Sequence, residues 1–161
     1  MLIEIREADL SLPAHAEATL SLLNQYALDP MGGGASLSAF ATDNLIRELR
    51  QRQCLRVILA WADGEPAGLA ICIEGFSTFA CKPLLNIHDL VVIQKFRGHG
   101  IAKQILQKLE SLARTLGCCK LTLEVLEGNR PAQALYRECG FAGYELDPAS
   151  GKAMFWQRPL E

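Results

Sequence analysis

The stretch from Leu90 to Ala102 carries the residue types of an anion-binding turn. The β-forming residues Leu90, Val91 and Val92 come first, and apolar residues at helical spacing come last. Between them lies a basic, glycine-rich run that consists of Arg97, Gly98, His99, Gly100, Ile101 and Ala102. This order predicts a strand, a tight turn and a helix N-terminus, where unpaired amides and the helix dipole attract anions. Glycine has no Cβ, so a ligand can approach the main chain. We therefore expect phosphate binding.

Two familiar phosphate-binding patterns do not fit this turn. A mononucleotide P-loop needs Lys-Ser or Lys-Thr directly after its last glycine, whereas Gly100 is followed by Ile-Ala-Lys. A dinucleotide-binding turn needs a third glycine at the position that Lys103 occupies. The pattern that is present is Arg-x-x-Gly-x-Ala, from Arg97 to Ala102. A pattern this short also occurs in ordinary helix-capping turns, so the sequence that follows has to decide between them.

A second pattern lies downstream, after a strand-like run. The spacing N-x-x-A-x-x-L-Y-x-x-x-G-F is filled by Asn129, Ala132, Leu135, Tyr136, Gly140 and Phe141. Together the two patterns resemble motifs A and B of the GNAT superfamily of acetyl-CoA-dependent N-acetyltransferases. The resemblance extends over about residues 54–158, and the first third of the chain matches only in general outline.

The resemblance implies a single α/β (α+β) domain over residues 1–161 with the GNAT fold. That fold is a mixed, mainly antiparallel sheet of about seven strands, splayed between strands four and five, with about four helices. Periodicity and turn residues predict strands at 2–6, 54–62, from about 67, 84–93, 120–126, 141–146 and 152–158. They predict helices at about 9–27, from Ser36 or Ser38 to 52, from 101, and after Asn129. They also predict a hairpin turn at Asp63-Gly64, a bulge at Gly75 and a flexible break over 29–36.

The resemblance also implies where acetyl-CoA binds. The turn from Arg97 to Ala102 is expected to hold the pyrophosphate, and the pantetheine amides are expected to pair with the main chain of Leu90, Val91 and Val92. Asn129 of motif B is expected to contribute to the same coenzyme site.

Acetyl transfer to an amine needs a base for the acceptor ammonium and an acid for the leaving thiolate. Tyr136 lies where the family has its thiolate-protonating tyrosine; the alternative is a helix aromatic that packs on the sheet. His88 matches a glutamate of the diamine acetyltransferases, and histidine can serve as a base or bind an ordered water. Strand alternation places residues 86, 88, 90 and 92 on one face and Asp89 on the other, although a bulge would exchange them. Glu124 is a further candidate base.

The central stretch from Gly75 to Val92 resembles diamine acetyltransferases, which implies a small-molecule primary amine as acceptor, polyamine-like or otherwise aliphatic. Candidate carboxylates for such an amine are Glu74, Asp29 and Asp43. The alternatives are a protein or peptide acetyltransferase that acts on lysine or an N-terminus, and a non-catalytic CoA-binding regulatory module. The resemblance also implies a homodimer.

Composition narrows the remaining classes. The net charge is −2 with no basic stripe beyond the turn, so we expect no nucleic-acid partner. No apolar run approaches the roughly 20 residues of a membrane span, and the N-terminus lacks the pattern of a signal peptide, so we expect a cytoplasmic protein. The six cysteines include no C-x-x-C pair, and we expect no metal site.

Overall fold

The computed structural model describes residues 1–160, and the chain divides into two compact units, Met1–Leu123 and the segment from Glu124 onward. The second unit holds one α-helix, α4 (Arg130–Glu138). The first unit holds five strands and three α-helices, which are β1 (Ile3–Glu7), α1 (Pro13–Leu28), α2 (Ala39–Gln51), β2 (Leu55–Ala62), β3 (Glu65–Ser77), β4 (Lys82–Val92), α3 (Ile101–Thr115) and β5 (Leu121–Leu123).

The strands form one sheet in the order β1-β2-β3-β4-β5. The first four are antiparallel to their neighbours, and β5 runs parallel to β4. This confirms the expected GNAT fold with its mixed, mainly antiparallel sheet. The middle strands are buried over continuous apolar runs at 57–60 and 67–72, as expected for strands that are covered on both faces.

Helices cover the two faces of the sheet in the first unit. On one face, Leu22 of α1 and Leu49 of α2 belong to the same buried cluster as Leu69 of β3. On the other face lies α3, because a Cβ added to Gly68 would come within 3.1 Å of Ile105 Cδ1. Consecutive strand residues point to opposite faces, so α1 and α2 are separated from α3 by the sheet.

The sheet opens between β4 and β5. The two strands pair over only three residues, and Ile87 is the last of them on β4. β4 continues to Val92, so its segment 88–92 has β3 on one side and, among the described residues, no strand on the other. The predicted splay between strands four and five is confirmed.

A bulge interrupts β4 at His88. Ile87 pairs with Cys72 of β3, and Asp89 pairs with Ile71, the residue adjacent to Cys72. Two residues of β4 thus advance the pairing by only one residue of β3. His88 is therefore the extra residue of the bulge. Cross-strand partners share a face of the sheet, so Asp89 lies on the face of Ile71, which α1 and α2 cover.

This bulge corrects two predictions. The predicted bulge at Gly75 is wrong, since Gly75 pairs in register with Leu84. Simple alternation placed positions 86, 88, 90 and 92 on one face, which is also wrong. Asn86 lies on the α1 face, whereas Val92 pairs with Gly68 and lies on the α3 face.

The described chain has five strands rather than about seven. Residues 141–146 and 152–158, which the sequence predicts as closing strands, form one antiparallel bridge between Glu145 and Lys152. β5 is also shorter than the predicted 120–126. A two-stranded hairpin is only marginally stable by itself, so alternation alone does not secure strands at this end of the chain.

The connection between α1 and α2 is ordered rather than the predicted flexible break. It contains a 3₁₀ turn, Pro30–Gly32, and Asp29 caps this turn by accepting a hydrogen bond from the Met31 N–H (2.9 Å). Of the two predicted caps of α2, Ser36 and Ser38, the structure has Ser38, whose hydroxyl accepts from the Ala41 N–H at 3.1 Å.

α1 begins at Pro13 rather than at Asp9. Asp9 instead accepts a hydrogen bond from the Ser11 N–H (2.9 Å) in a turn that precedes the helix. Proline suits the first helical position because its missing N–H would have no partner there.

Candidate functional site

The turn before α3 has the geometry of an anion cradle. Gly98 and Gly100 have positive φ angles of 81° and 75°, and a Cβ at either would meet no atom within 4 Å. Gly100 is the N-cap of α3, and no side chain caps this helix. The Gln104 N–H donates the first helical bond, to the Gly100 carbonyl. The amides of residues 98–102 have no acceptor in the described part of the chain, and they are available to an anion.

The cationic side chains near the cradle are held by acceptors of the protein itself. Arg97 donates from Nε to the Val92 carbonyl (2.9 Å) and from Nη2 to Asp29 Oδ2 (2.8 Å). The bond from Arg97 is the main reason that the pKa of Asp29 lies below its ordinary value. Lys95 forms an exposed ion pair with Glu65. The main-chain amides at the start of α3 and the helix dipole are therefore the groups of this turn that can attract an anion.

Two titratable side chains meet at the bulge of β4. His88 is exposed and Asp89 is half-buried. Burial raises the pKa of Asp89, and the neighbouring His88 opposes this with a smaller effect. In the sequence, strand alternation makes Asp89 a weaker candidate for the catalytic base than His88. The bulge places Asp89 on the face that α1 covers.

The C-terminal end of α1 adds a residue that the sequence analysis missed. Tyr26 packs against the buried cluster on the α1 face. Burial raises the pKa of its phenol, and the negative charges of Asp89 and Asp29 raise it further. Tyr26 is thus within electrostatic range of both Asp29 and Asp89, and we name these three residues the Tyr26 cluster. No local signal marks Tyr26, because an aromatic residue at an apolar helix position is usually a packing residue.

The predicted acid, Tyr136, lies in the second unit. It is half-buried on α4, and its ring centroid lies 5.9 Å from that of Phe141. Asn129, predicted to contact the coenzyme, caps α4 by accepting from the Ala132 N–H at 3.3 Å. Glu124, the alternative base, is exposed. The motif B residues thus form a capped helix that carries a ring-stacked tyrosine.

A cavity of about 540 Å³ lies at the other end of the sheet, between the end of β1 and the start of β2. No residue of the cradle or the bulge lines it. Its arginines include Arg56, which pairs with Glu7 at 3.2 Å, and Arg52, which pairs with Glu48. Both of these arginines are matched by carboxylates of the protein, and Arg50 is a third arginine of the lining.

Residues 1–160 contain no cluster of three His, Cys, Asp or Glu side chains placed to hold a metal ion. No helix in this range is long and apolar enough to cross a membrane. Cys72 is buried, whereas Cys54, Cys81 and Cys119 are exposed.

Comparisons with known proteins agree with this geometry. The profile of the acetyltransferase (GNAT) family matches residues 21–141. A thialysine N-epsilon-acetyltransferase of Caenorhabditis elegans is 30% identical over 125 residues, which cover 77% of this chain and 75% of that protein. A streptothricin acetyltransferase of Streptomyces lavendulae is 39% identical over 88 residues, which cover 55% of this chain and 44% of that protein.

A solved structure with the same fold is that of AAC(6')-Iy in complex with the bisubstrate analogue CoA-S-monomethyl-acetylneamine. It has a TM-score of 0.77 at 21% identity and covers 99% of this chain and 100% of that one. At this identity the likeness shows the fold alone. The family profile and the relative from Caenorhabditis elegans support the superfamily and do not reach the diamine-type subclass. The chain therefore belongs to the GNAT acetyltransferase family and is an acetyl-CoA-dependent N-acetyltransferase.

Proposed function

We propose that this enzyme transfers the acetyl group of acetyl-CoA to the primary amine of a small molecule, polyamine-like or otherwise aliphatic, by direct attack of the amine on the thioester. The observation that carries this proposal is the organisation of β4. Its segment 88–92 has an open edge, its bulge presents a half-buried carboxyl group, and the chain beyond it leads to the uncapped turn before α3. One strand thus offers main-chain groups to a coenzyme and a carboxyl group to a cationic acceptor.

The coenzyme is expected to bind along the open edge and into the cradle. The main chain of Leu90, Val91 and Val92 is proposed to pair with the pantetheine amides in the way that a strand pairs with an added strand, apart from the Val92 carbonyl, which accepts from Arg97 Nε. The amides of the Arg97–Ala102 turn suit the pyrophosphate. Asn129 uses its side-chain oxygen to cap α4, which leaves its side-chain NH₂ as the group for the coenzyme.

Asp89 is proposed to bind the acceptor amine in the protonated, ammonium form of that amine. Burial disfavours the ionised form of this carboxyl, and a cation beside it would reverse that effect. A neutral acceptor would leave the cost of burying the charge uncompensated. The site therefore favours a positively charged amine over an alcohol or a thiol.

His88 and Tyr136 are proposed as the base and the acid. The ammonium must lose a proton before its nitrogen can attack the thioester carbon, and the exposed imidazole of His88 next to Asp89 is suited to accept it. As the carbon–sulfur bond breaks, the thiolate needs a proton, which the Tyr136 hydroxyl supplies. The choice of Tyr136 rests on its position in motif B.

The choice of a small amine is supported by two relatives that are at least 30% identical. One is named for the ε-nitrogen of thialysine and the other for streptothricin. Thialysine carries an aliphatic primary amine like that of lysine, so the acceptor class proposed here includes it.

A panel of acceptors tests this proposal. Thiol release from acetyl-CoA is followed with spermidine, putrescine, thialysine, lysine, an aminoglycoside and two peptides, one with an internal lysine and one with a free N-terminus. Acetylation of one or more free amines, verified by product mass, supports the proposal. Acetylation of peptides alone assigns the enzyme to the protein class. Binding of acetyl-CoA without turnover on any acceptor assigns it to the regulatory class.

The enzyme is also proposed to form a homodimer through its C-terminal segment. Met154, Phe155 and Trp156 are 71%, 77% and 80% exposed. Large apolar side chains that are exposed together mark interaction surfaces, and a second copy of this chain would cover them. Light scattering should give the dimer mass, and the double variant Phe155→Ser/Trp156→Ser should give the monomer mass. A wild-type monomer at micromolar concentration would contradict the proposal.

The cytoplasm is the proposed location. Six cysteines in one small chain, none with a partner cysteine at C-x-x-C spacing, suit a reducing compartment. Burial raises the pKa of the Cys72 thiol to about 12, which keeps that cysteine unreactive.

A further inference from the structure

We propose that Asp29 is a positioning residue for acetyl transfer, which fixes the connection between α1 and α2 to the coenzyme turn through Arg97 and so shapes the acceptor side of the site. This inference rests on the proposed function, because it assigns the coenzyme to the Arg97–Ala102 turn. The sequence gives Asp29 only as one of three candidate carboxylates for the acceptor amine. The structure gives it a different partner.

Asp29 uses both its side chain and its main chain at the end of α1. Its carboxylate accepts from Arg97 Nη2 (2.8 Å) and from the Met31 N–H (2.9 Å). Its carbonyl accepts from the amides of Gly32 (2.8 Å) and Gly34 (3.2 Å). The side chain is 21% exposed, compared with 52% for that of Arg97. Asp29 thus organises the connection and also joins it to the coenzyme turn.

The connection that Asp29 holds has little freedom to adjust by itself. A Cβ at Gly32 would lie 1.9 Å from the Tyr26 carbonyl oxygen, so the chain here rests directly on the last turn of α1. The Leu37 N–H donates to Asn24 Oδ1 (2.9 Å), and the Ala35 N–H donates to the Ala27 carbonyl (3.1 Å). A shift of the connection would therefore also shift the end of α1, which carries Tyr26.

Arg97 extends this link to the sheet. Its Nε donates to the carbonyl of Val92, the last residue of β4. The path from β4 through Arg97 and Asp29 leads back to the Tyr26 cluster, which includes Asp89. The Asp29–Arg97 ion pair thus joins the turn proposed to bind the coenzyme to the end of α1, where Tyr26 packs on the same sheet face as Asp89, the residue proposed to bind the amine.

Loss of the Asp29 charge should affect the two substrates differently. The acceptor should bind more weakly, because the connection and Tyr26, which packs on the sheet face of Asp89, are no longer held in place. Acetyl-CoA should bind equally well or more tightly, because the charge of Arg97 is no longer offset beside the cradle. A general loosening of the fold would weaken the binding of both substrates.

The test is the Asp29→Asn variant, measured with acetyl-CoA and the best amine of the acceptor panel. Asparagine keeps an oxygen for the Met31 N–H and loses only the ionic partner of Arg97. We expect the acceptor KM to rise about 3- to 10-fold, as for loss of one partly buried ion pair. The acetyl-CoA Kd should stay equal or fall, and kcat at saturating amine should stay within about twofold.

Asp9→Asn is the matched control. Asp9 also accepts from the amide two residues later, that of Ser11, at 2.9 Å, and its carboxylate bonds no arginine. Hydrogen exchange on the full chain adds a readout that needs no turnover. The amides of Gly32 and Gly34 should exchange faster in Asp29→Asn and at the wild-type rate in Asp9→Asn.

Three results would overturn the inference. An acceptor KM within twofold of wild type shows that Asp29 positions nothing that matters for the amine. An equal rise in the constants of both substrates shows a general loosening. A wild-type enzyme that fails to bind acetyl-CoA removes the proposed function as well, whereas normal wild-type turnover with an unaltered Asp29→Asn removes this inference alone.

Discussion

The two halves of β4 differ in what surrounds them. Residues 85–87 pair with β3 on one side and with β5 on the other, and Leu85 and Ile87 are almost completely buried. Residues 88–92 pair with β3 alone and begin with the exposed His88 and the half-buried Asp89. The paired half satisfies its main chain within the sheet, whereas the open half keeps hydrogen-bonding groups for a ligand.

One inserted residue separates the two halves. The bulge at His88 exchanges the faces of the side chains that follow it, and it lies where the pairing with β5 ends. A strand can therefore carry stability in one half and ligand binding in the other without a change of element. Variants in the open half and beyond it should affect binding and turnover, and variants in the paired half should affect folding.

The largest effect is expected at the cradle that follows the open half. Gly100→Val should reduce acetyl-CoA affinity more than about 100-fold, because a branched side chain would occupy the space that the diphosphate needs. Titration calorimetry measures the effect directly. Unchanged affinity in a folded variant would show that the cradle is not the coenzyme site.

A matched glycine separates occlusion from backbone strain. Gly64 has a φ of 83° and open space around its Cβ position, like Gly100 with 75°, but it lies in the β2–β3 hairpin. Gly64→Val should lose similar stability, since a branched residue at positive φ is strained in both places. It should keep wild-type acetyl-CoA affinity. If both variants lose affinity alike, strain rather than occlusion is the cause.

Tyr136→Phe tests whether the open half suffices for the chemistry or needs the acid from α4. Loss of one hydroxyl should lower kcat by about 100-fold or more while acetyl-CoA affinity stays nearly unchanged, because a general acid acts mainly on the chemical step. Tyr144→Phe, an exposed tyrosine of the same unit, is the control and should keep wild-type turnover. Full turnover in Tyr136→Phe would leave Tyr136 as a packing partner of Phe141.

His88→Ala should have a smaller effect with a distinct pH signature. If His88 is the base, kcat/KM rises with pH as the base loses its proton. The variant should lose that limb of the pH profile and about 10- to 100-fold in kcat/KM. A retained limb would assign the base to another group.

The structural features that depend on neighbouring residues follow directly from the sequence. Asp63-Gly64 adopts positive φ at both positions (49° and 83°), as a tight hairpin turn requires. Ser38, one of the two predicted caps, caps α2, and the glycines of the cradle lie in the tight turn that their sequence predicts. Each of these features is decided within a few residues, where propensity and turn chemistry act.

Features that depend on distant pairing are not visible in the sequence. The bulge at His88 is defined only by the register between β3 and β4, and no local residue marks it. The Asp29–Arg97 bond joins residues 68 positions apart. The predicted closing strands contain aromatic residues that favour strands, but a strand forms only where a partner satisfies its main chain. The proposed role of Asp89 also depends on the register between distant strands, whereas strand alternation alone places Asp89 behind His88 as a candidate.

The smallest expected effect is a pH-dependent change in the free energy of unfolding caused by Asp89. The sign of this change distinguishes the open half of β4 from the paired half. Burial raises the pKa of this carboxyl in the folded protein, so the native state favours the protonated acid. The protonated carboxyl makes its full contribution to the free energy of unfolding below its ordinary pKa of about 3.9. This contribution decreases as pH rises through that value, until the carboxyl ionises in the folded protein as well. The side chain at position 89 of the variant Asp89→Asn does not ionise. The free energy of unfolding of this variant should therefore fall less than that of wild type over this pH range.

Leu85→Ala in the paired half supplies the contrast. Truncation of this fully buried side chain should cost about 2–5 kcal/mol of unfolding free energy at every pH, because the loss is one of packing. Urea unfolding at about pH 3, 5 and 7 measures both variants. Asp89→Asn should unfold at a higher urea concentration than wild type at pH 7 but not at pH 3, even though it binds the acceptor more weakly. If Asp89→Asn is destabilised to the same extent at all three pH values, Asp89 supports the fold as Leu85 does, and the open half of β4 is not reserved for the acceptor.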